Sequence, residues 1–98
     1  MNNIDPIALR EMLVNGDDLL LVDVREPWEH ELSNIGGLLI PMRTVFENLD
    51  KIPNDKPVIF YCQKGIRSAL IIQRLQQKFH YDNLFNLSGG MDNWARLG

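Results

Sequence analysis

Pro57-Val58-Ile59-Phe60-Tyr61-Cys62-Gln63-Lys64-Gly65-Ile66-Arg67-Ser68 is the stretch from which the fold can be read. Its first five residues are apolar without alternation, the pattern of a strand covered on both faces. Its end runs straight into a helical period. From about Ile66 to Phe79, Leu70, Ile71 and Leu75 make an apolar face, while Arg74 and Lys78 make a wet one. A buried strand that turns directly into a helix is a building unit of a parallel sheet.

The same alternation extends outward on both sides. Towards the N-terminus, Leu19-Leu20-Leu21-Val22-Asp23-Val24 is a second continuous apolar run, and Leu38-Leu39-Ile40-Pro41 after Gly36-Gly37 is a shorter one. Asp5-Pro6 starts a helix, with Asp as N-cap and Pro at the first position, and Gly16 stops it. Ile7, Leu9, Met12 and Leu13 are expected on its buried side. Pro27 is placed to begin a short helix, and Thr44 to cap another that buries Val45, Phe46 and Leu49. Towards the C-terminus, Asn83 to Leu87 reads as a last strand, and Gly89-Gly90 turns it into a final helix carrying Trp94. No repeat, linker or low-complexity tract interrupts this order. The expectation is one α/β domain over residues 1–98, a parallel sheet with helices on both faces. Ligands of such sheets bind beyond the carboxyl ends of the strands, where Asp23 and Cys62 both fall.

Composition narrows the function. A hydrophobic fraction of 45% and a charged fraction of 23% are ordinary for a globular domain. The net charge of −3 argues against nonspecific nucleic-acid binding, which needs clustered Lys and Arg. No apolar stretch approaches the roughly 20 residues of a membrane span. Met1-Asn2-Asn3-Ile4-Asp5-Pro6 lacks the pattern of a secretory signal, and one cysteine cannot form an internal disulfide, so a cytoplasmic setting is expected. Cys62, His30 and His80 provide no ligand pair at metal-binding spacing, so no metal is expected.

Cys62 is the only cysteine, and it stands where a strand gives way to a helix. Free N–H groups and the positive end of the helix dipole face such a position. Lys64 and Arg67 add two nearby cations, and together these conditions favour thiolate. If Gln63 to Ser68 curl around the sulfur, their amides form a concave anion cradle, and Gly65 permits the close backbone approach. Each charge-assisted bond contributes about 1.5–3 kcal/mol, so a few are enough to activate the thiol. The resulting nucleophile would attack an electrophilic sulfur or phosphorus.

Other polar residues read more plainly. His30, within Glu29-His30-Glu31, is expected on the solvated surface rather than as a base for Cys62. Gly89-Gly90 is expected to shape a turn rather than bind phosphate. Asp23 and Arg25 are expected to form an internal ion pair or to bond backbone. Trp28 and Trp94 are expected as core or rim aromatics.

Three segments resemble the rhodanese-like family. Leu21-Val22-Asp23-Val24-Arg25-Glu26 followed by Glu29 resembles its D-V-R-x-x-x-E motif, Ile59 to Ser68 its catalytic loop, and Asn86-Leu87-Ser88-Gly89-Gly90-Met91-Asp92-Asn93-Trp94 its closing L-x-G-G-x-x-x-W motif. The resemblance covers nearly the whole chain and implies a central sheet of about five strands, with no cofactor. It also implies a thiosulfate sulfurtransferase. Cys62 would be the catalytic nucleophile, taking the outer sulfur of a small anionic donor as a persulfide and passing it to cyanide or a thiol. Gln63, Lys64, Gly65, Ile66, Arg67 and Ser68 would bind the substrate, and Asp23 and Arg25 would support the loop from behind. The spacing Cys62 to Arg67 is C-x4-R, the form of sulfur-transferring relatives; related phosphatases have C-x5-R. A binding or carrier module loaded by a partner protein is the alternative.

Two stretches depart from the family pattern. Ser33-Asn34-Ile35-Gly36-Gly37-Leu38 lacks the His and Pro of the usual G-H-I-P-G-A, and the first edge strand is reduced to about Asn3-Ile4.

Overall fold

A computed structural model describes all of residues 1–98. The strands are β1 (Asn2–Ile4), β2 (Leu20–Asp23), β3 (Leu38–Leu39), β4 (Val58–Tyr61) and β5 (Leu84–Leu87). The helices are α1 (Pro6–Asn15), α2 (Pro27–Leu32), α3 (Ile66–Lys78) and α4 (Gly90–Ala95). The strands form one all-parallel sheet in the order β1-β5-β4-β2-β3. β4 is thus central, and Asp23 pairs in register with Tyr61. That register brings the ends of β2 and β4 side by side, with Asp23 and Cys62 at the same end of the sheet.

Strand side chains alternate between the two faces, and each face has its own core. Val22, Val58, Phe60 and Leu84 pack with Ile71, Ile72 and Leu75 of α3 and with Val45. Leu21, Ile59, Tyr61 and Leu87 pack on the other side with Leu9 of α1 and Met91 of α4. Burial on both sides is why β4 reads apolar at every position, and all four of its residues are buried. Complete burial of one such side chain contributes about 1.5–3 kcal/mol.

Local signals at α1 act as expected. The Ile7 amide donates to Asp5 Oδ1 at 2.8 Å, and Gly16 closes the helix at φ 72°. The buried side is narrower than the sequence suggests: Leu9 is buried, whereas Ile7 and Leu13 are exposed. The α-helix expected from Thr44 is instead two 3-10 segments, Met42–Glu47 and Leu49–Lys51. The Thr44 hydroxyl and amide both donate back to the Pro41 carbonyl, at 2.9 and 2.8 Å, closing a turn rather than capping a helix. Val45 is buried there, but Phe46 stays exposed. The first edge strand is short, as expected, and pairs only with β5. No helix is long and apolar enough to cross a membrane.

Candidate active site

Cys62 follows β4 directly, and its loop ends where α3 begins at Ile66. Cys62 is 1% exposed and lines a ≈390 Å³ cleft with Glu29, Gln63, Lys64, Ile66 and Arg67. Two amides reach Sγ: Gly65 N at 3.1 Å and Ser68 N at 3.4 Å. The Ser68 hydroxyl lies 3.3 Å away. Of the amides expected around the sulfur, those of Gly65 and Ser68 are the two that reach it. No acceptor within the chain engages the amides of Lys64, Ile66 and Arg67.

Glycines make this geometry possible. Gly65 sits at φ 88° as N-cap of α3, and a Cβ there would press on the Gly89 amide at 3.1 Å. At Gly90 a Cβ would lie 2.3 Å from the Cys62 carbonyl oxygen. The first turn of α4 is instead bonded to the loop: Met91 N donates to Cys62 O at 2.9 Å, and Asp92 N to Gln63 O at 3.0 Å. The Gly89-Gly90 pair thus shapes the sulfur loop from behind.

Cations around the sulfur are paired, which corrects the simplest electrostatic expectation. Arg67 forms a two-pronged bridge to Glu29, Nη1–Oε1 and Nη2–Oε2 both 2.8 Å. Hydrogen bonding from Arg67 lowers the Glu29 carboxyl to about 2, and the same bond raises Arg67, with the nearby Cys62 adding a smaller effect. Lys64 lies 3.4 Å from Asp92, whose carboxyl is lowered chiefly by its hydrogen bond from Gln63. The Gln63 side chain is stretched between Asp92 (2.6 Å) and Arg25 (3.0 Å), away from Sγ. Backbone amides, rather than free cations, are the groups bonded to this sulfur.

Behind the loop stands the expected ion pair. Fully buried Asp23 accepts from the Arg25 amide (2.9 Å), Nε (3.0 Å) and Nη2 (2.9 Å). Arg25 also donates to the Ser33 carbonyl at 2.6 Å and lies 5.8 Å from the centre of the Tyr61 ring. His30 overturns its surface assignment: Nδ1 is 2.8 Å from Asp23 Oδ2, and the ring is 22% exposed. The short helix α2 turns it inward onto the carboxylate that Arg25 already holds. Glu29 is likewise largely covered, its side chain 11% exposed, and holds Arg67. The sequence signal for Glu29 was its place in D-V-R-x-x-x-E. Asn86 heads the closing-motif stretch but carried no expected role; it is buried and bonded to Ser68 Oγ at 2.5 Å.

The Ser33–Leu38 loop, without its usual His and Pro, is fastened by Tyr61, whose hydroxyl donates to the Gly36 carbonyl at 2.9 Å. Burial first, then the nearby Asp23 charge, push the Tyr61 phenol up to about 12. Trp28 is a rim aromatic, 64% exposed, beside a ≈410 Å³ groove that adjoins the sulfur cleft and includes Leu32, Met91 and Ala95. Trp94 packs partly buried against the α1 side of the core. No group of three His, Cys, Asp or Glu side chains converges as a metal site would require.

The family model for rhodanese-like domains matches residues 5–97. The chain belongs to the rhodanese-like domain family. It is 37% identical to a sulfurtransferase of Allochromatium vinosum, over all of this chain and 92% of that protein. It is 31% identical to the thiosulfate sulfurtransferase GlpE of Coxiella burnetii, covering 84% of this chain and 77% of GlpE. A crystal structure of a rhodanese-like domain protein from Staphylococcus aureus superposes with a TM-score of 0.86 at 28% identity, covering 96% and 91% of the two chains.

Proposed function

We propose that this chain is a sulfurtransferase that carries a sulfane sulfur on Cys62 as a persulfide. The observation that carries the reading is the half-used cradle. Two amides hold Sγ, while those of Lys64, Ile66 and Arg67 have no acceptor in the chain. An anionic outer sulfur bonded to Sγ supplies the charge these donors lack.

With thiosulfate as donor, the Cys62 thiolate attacks the outer sulfur. A new S–S bond forms, the old one to the sulfonate sulfur breaks, and sulfite leaves with the bonding pair. The persulfide now carries the negative charge on its outer sulfur. Cyanide or a thiolate attacks that atom, takes it as thiocyanate or a new persulfide, and returns Cys62 as thiolate. In this reading the backbone of Gln63 to Ser68 binds donor and persulfide, and Asp23 and Arg25 support the loop. The sulfurtransferase relatives and the C-x4-R spacing favour sulfur over phosphorus as the transferred element. A reducing compartment such as the cytoplasm suits a lone reactive thiol.

Thiocyanate formation from thiosulfate and cyanide tests the reading. Wild type is expected to turn over and Cys62→Ser to be inactive. Equal rates from the two proteins reject it.

A specific observation favours a second reading, a carrier loaded by a partner protein. Lys64 and Arg67 each face a carboxylate, which weakens their pull on a small dianion. Trp28, Leu32 and Ile66, exposed by 64%, 78% and 71%, form an apolar rim of the kind that suits protein contact. Faster loading by a cysteine desulfurase than by thiosulfate, lost in Trp28→Ala, supports the carrier. Thiosulfate loading that is faster, and unaffected by Trp28→Ala, supports the enzyme.

A further inference from the structure

Asn86 lies on β5, 5% exposed, beneath the sulfur loop. Its Nδ2 donates to the Gly65 carbonyl at 3.1 Å and to Asn3 Oδ1 at 3.4 Å. That fixes the amide orientation, because a flipped amide would set two carbonyl oxygens together. Oδ1 then faces Ser68, and the 2.5 Å contact takes the only hydroxyl hydrogen of Ser68. The 3.3 Å contact between Sγ and Ser68 Oγ follows in sense: while the thiol is protonated, S–H donates to Oγ. A chain of bonds runs from Cys62 through Ser68 to Asn86.

Loss of the thiol proton to solvent breaks this order. Either the Ser68 hydroxyl stays on Asn86 and turns its lone pairs towards a negative sulfur, or it swings to the sulfur and leaves buried Oδ1 without a partner. Both outcomes disfavour the thiolate. In a persulfide Sγ is neutral, the charge sits on the outer sulfur, and Ser68 keeps Asn86. We propose that Asn86 is a positioning residue that, by holding the Ser68 hydroxyl, disfavours the free thiolate of Cys62 relative to both its thiol and its persulfide. This rests on reading Cys62 as the reacting sulfur.

The charged groups around the sulfur do not compete with this device. Arg67 is engaged by Glu29, Lys64 by Asp92, and Arg25 and His30 by Asp23, and none of them bonds Asn86 or Ser68. A looser cradle has the opposite sign, since losing an amide from Sγ favours the thiol.

The rate of Cys62 alkylation by iodoacetamide as a function of pH tests the proposal without any sulfur donor, so its outcome is independent of whether sulfur is transferred. Asn86→Leu is expected to lower the midpoint by roughly one pH unit. In a Ser68→Ala background the same change is expected to leave the midpoint in place. An upward or absent shift in the first case, or an equal shift in both, overturns the proposal. Wild type offers a second measurement if Asn86→Leu fails to fold. The Asn86 side-chain carbonyl carbon should titrate in an NMR experiment at the midpoint of Cys62 alkylation, and a resonance that stays flat through that range overturns it.

Discussion

Cys62, Glu29 and Asp23 show how single side chains divide the labour around one sulfur. Asp23 is fully buried with Arg25 and His30 as partners, so removing its carboxylate strands a guanidinium in a dry interior. Asp23→Ala is expected to cost about 3–5 kcal/mol, measured by urea unfolding. A cost below about 1 kcal/mol would show the pair to be solvated. Glu29 links the site to pH. Its folded carboxyl is lowered from 4.5 to about 2, so its contribution to stability is fully present above about pH 4.5 and is lost as pH falls towards 2. Glu29→Gln is expected to flatten the unfolding midpoint across that window and to leave its slope above pH 5 unchanged. Lys64 is 73% exposed and already faces Asp92. Lys64→Ala is accordingly expected to change the KM for thiosulfate by less than about twofold, whereas a tenfold rise would mean that Lys64 binds the donor directly.

At the scale of elements, the sulfur loop is shaped by its neighbours as much as by its own sequence. The first turn of α4 bonds the carbonyls of Cys62 and Gln63, and only a residue without Cβ fits at position 90. Gly90→Ala is expected to push the loop away and to cost about 1–3 kcal/mol. It should also change the rate of Cys62 alkylation, and an unchanged rate would show that the loop holds its shape without α4. The strands were legible because β2 and β4 are covered on both faces and so read apolar without a break. The Thr44 segment was misread because apolar spacing over one or two turns does not separate 3-10 from α geometry. There the Pro41 carbonyl takes both the amide and the hydroxyl of Thr44. His30 read as a surface residue because its partner, Asp23, is brought to it only by the packing of α2 against the sheet. Hydrophobic periodicity encodes burial within an element, not pairing between elements.

Over the whole molecule, the order β1-β5-β4-β2-β3 puts the cysteine strand at the centre and sends α3, α4 and the Asp23 turn to the same end of the sheet. Three distant motifs meet there: the Asp23-Val24-Arg25 turn behind the loop, the loop itself, and Gly89-Gly90 beneath it. Their convergence leaves one buried sulfur held by two loop amides, with the amides of Lys64, Ile66 and Arg67 unbonded within the chain. The central claim, a persulfide on Cys62, is tested most directly by the intact mass of the protein after exposure to thiosulfate and, separately, to a cysteine desulfurase with cysteine. The account predicts a gain of one sulfur atom in wild type from at least one donor, reversed by cyanide and absent in Cys62→Ser. No gain in wild type from either donor, or the same gain in Cys62→Ser, would contradict it.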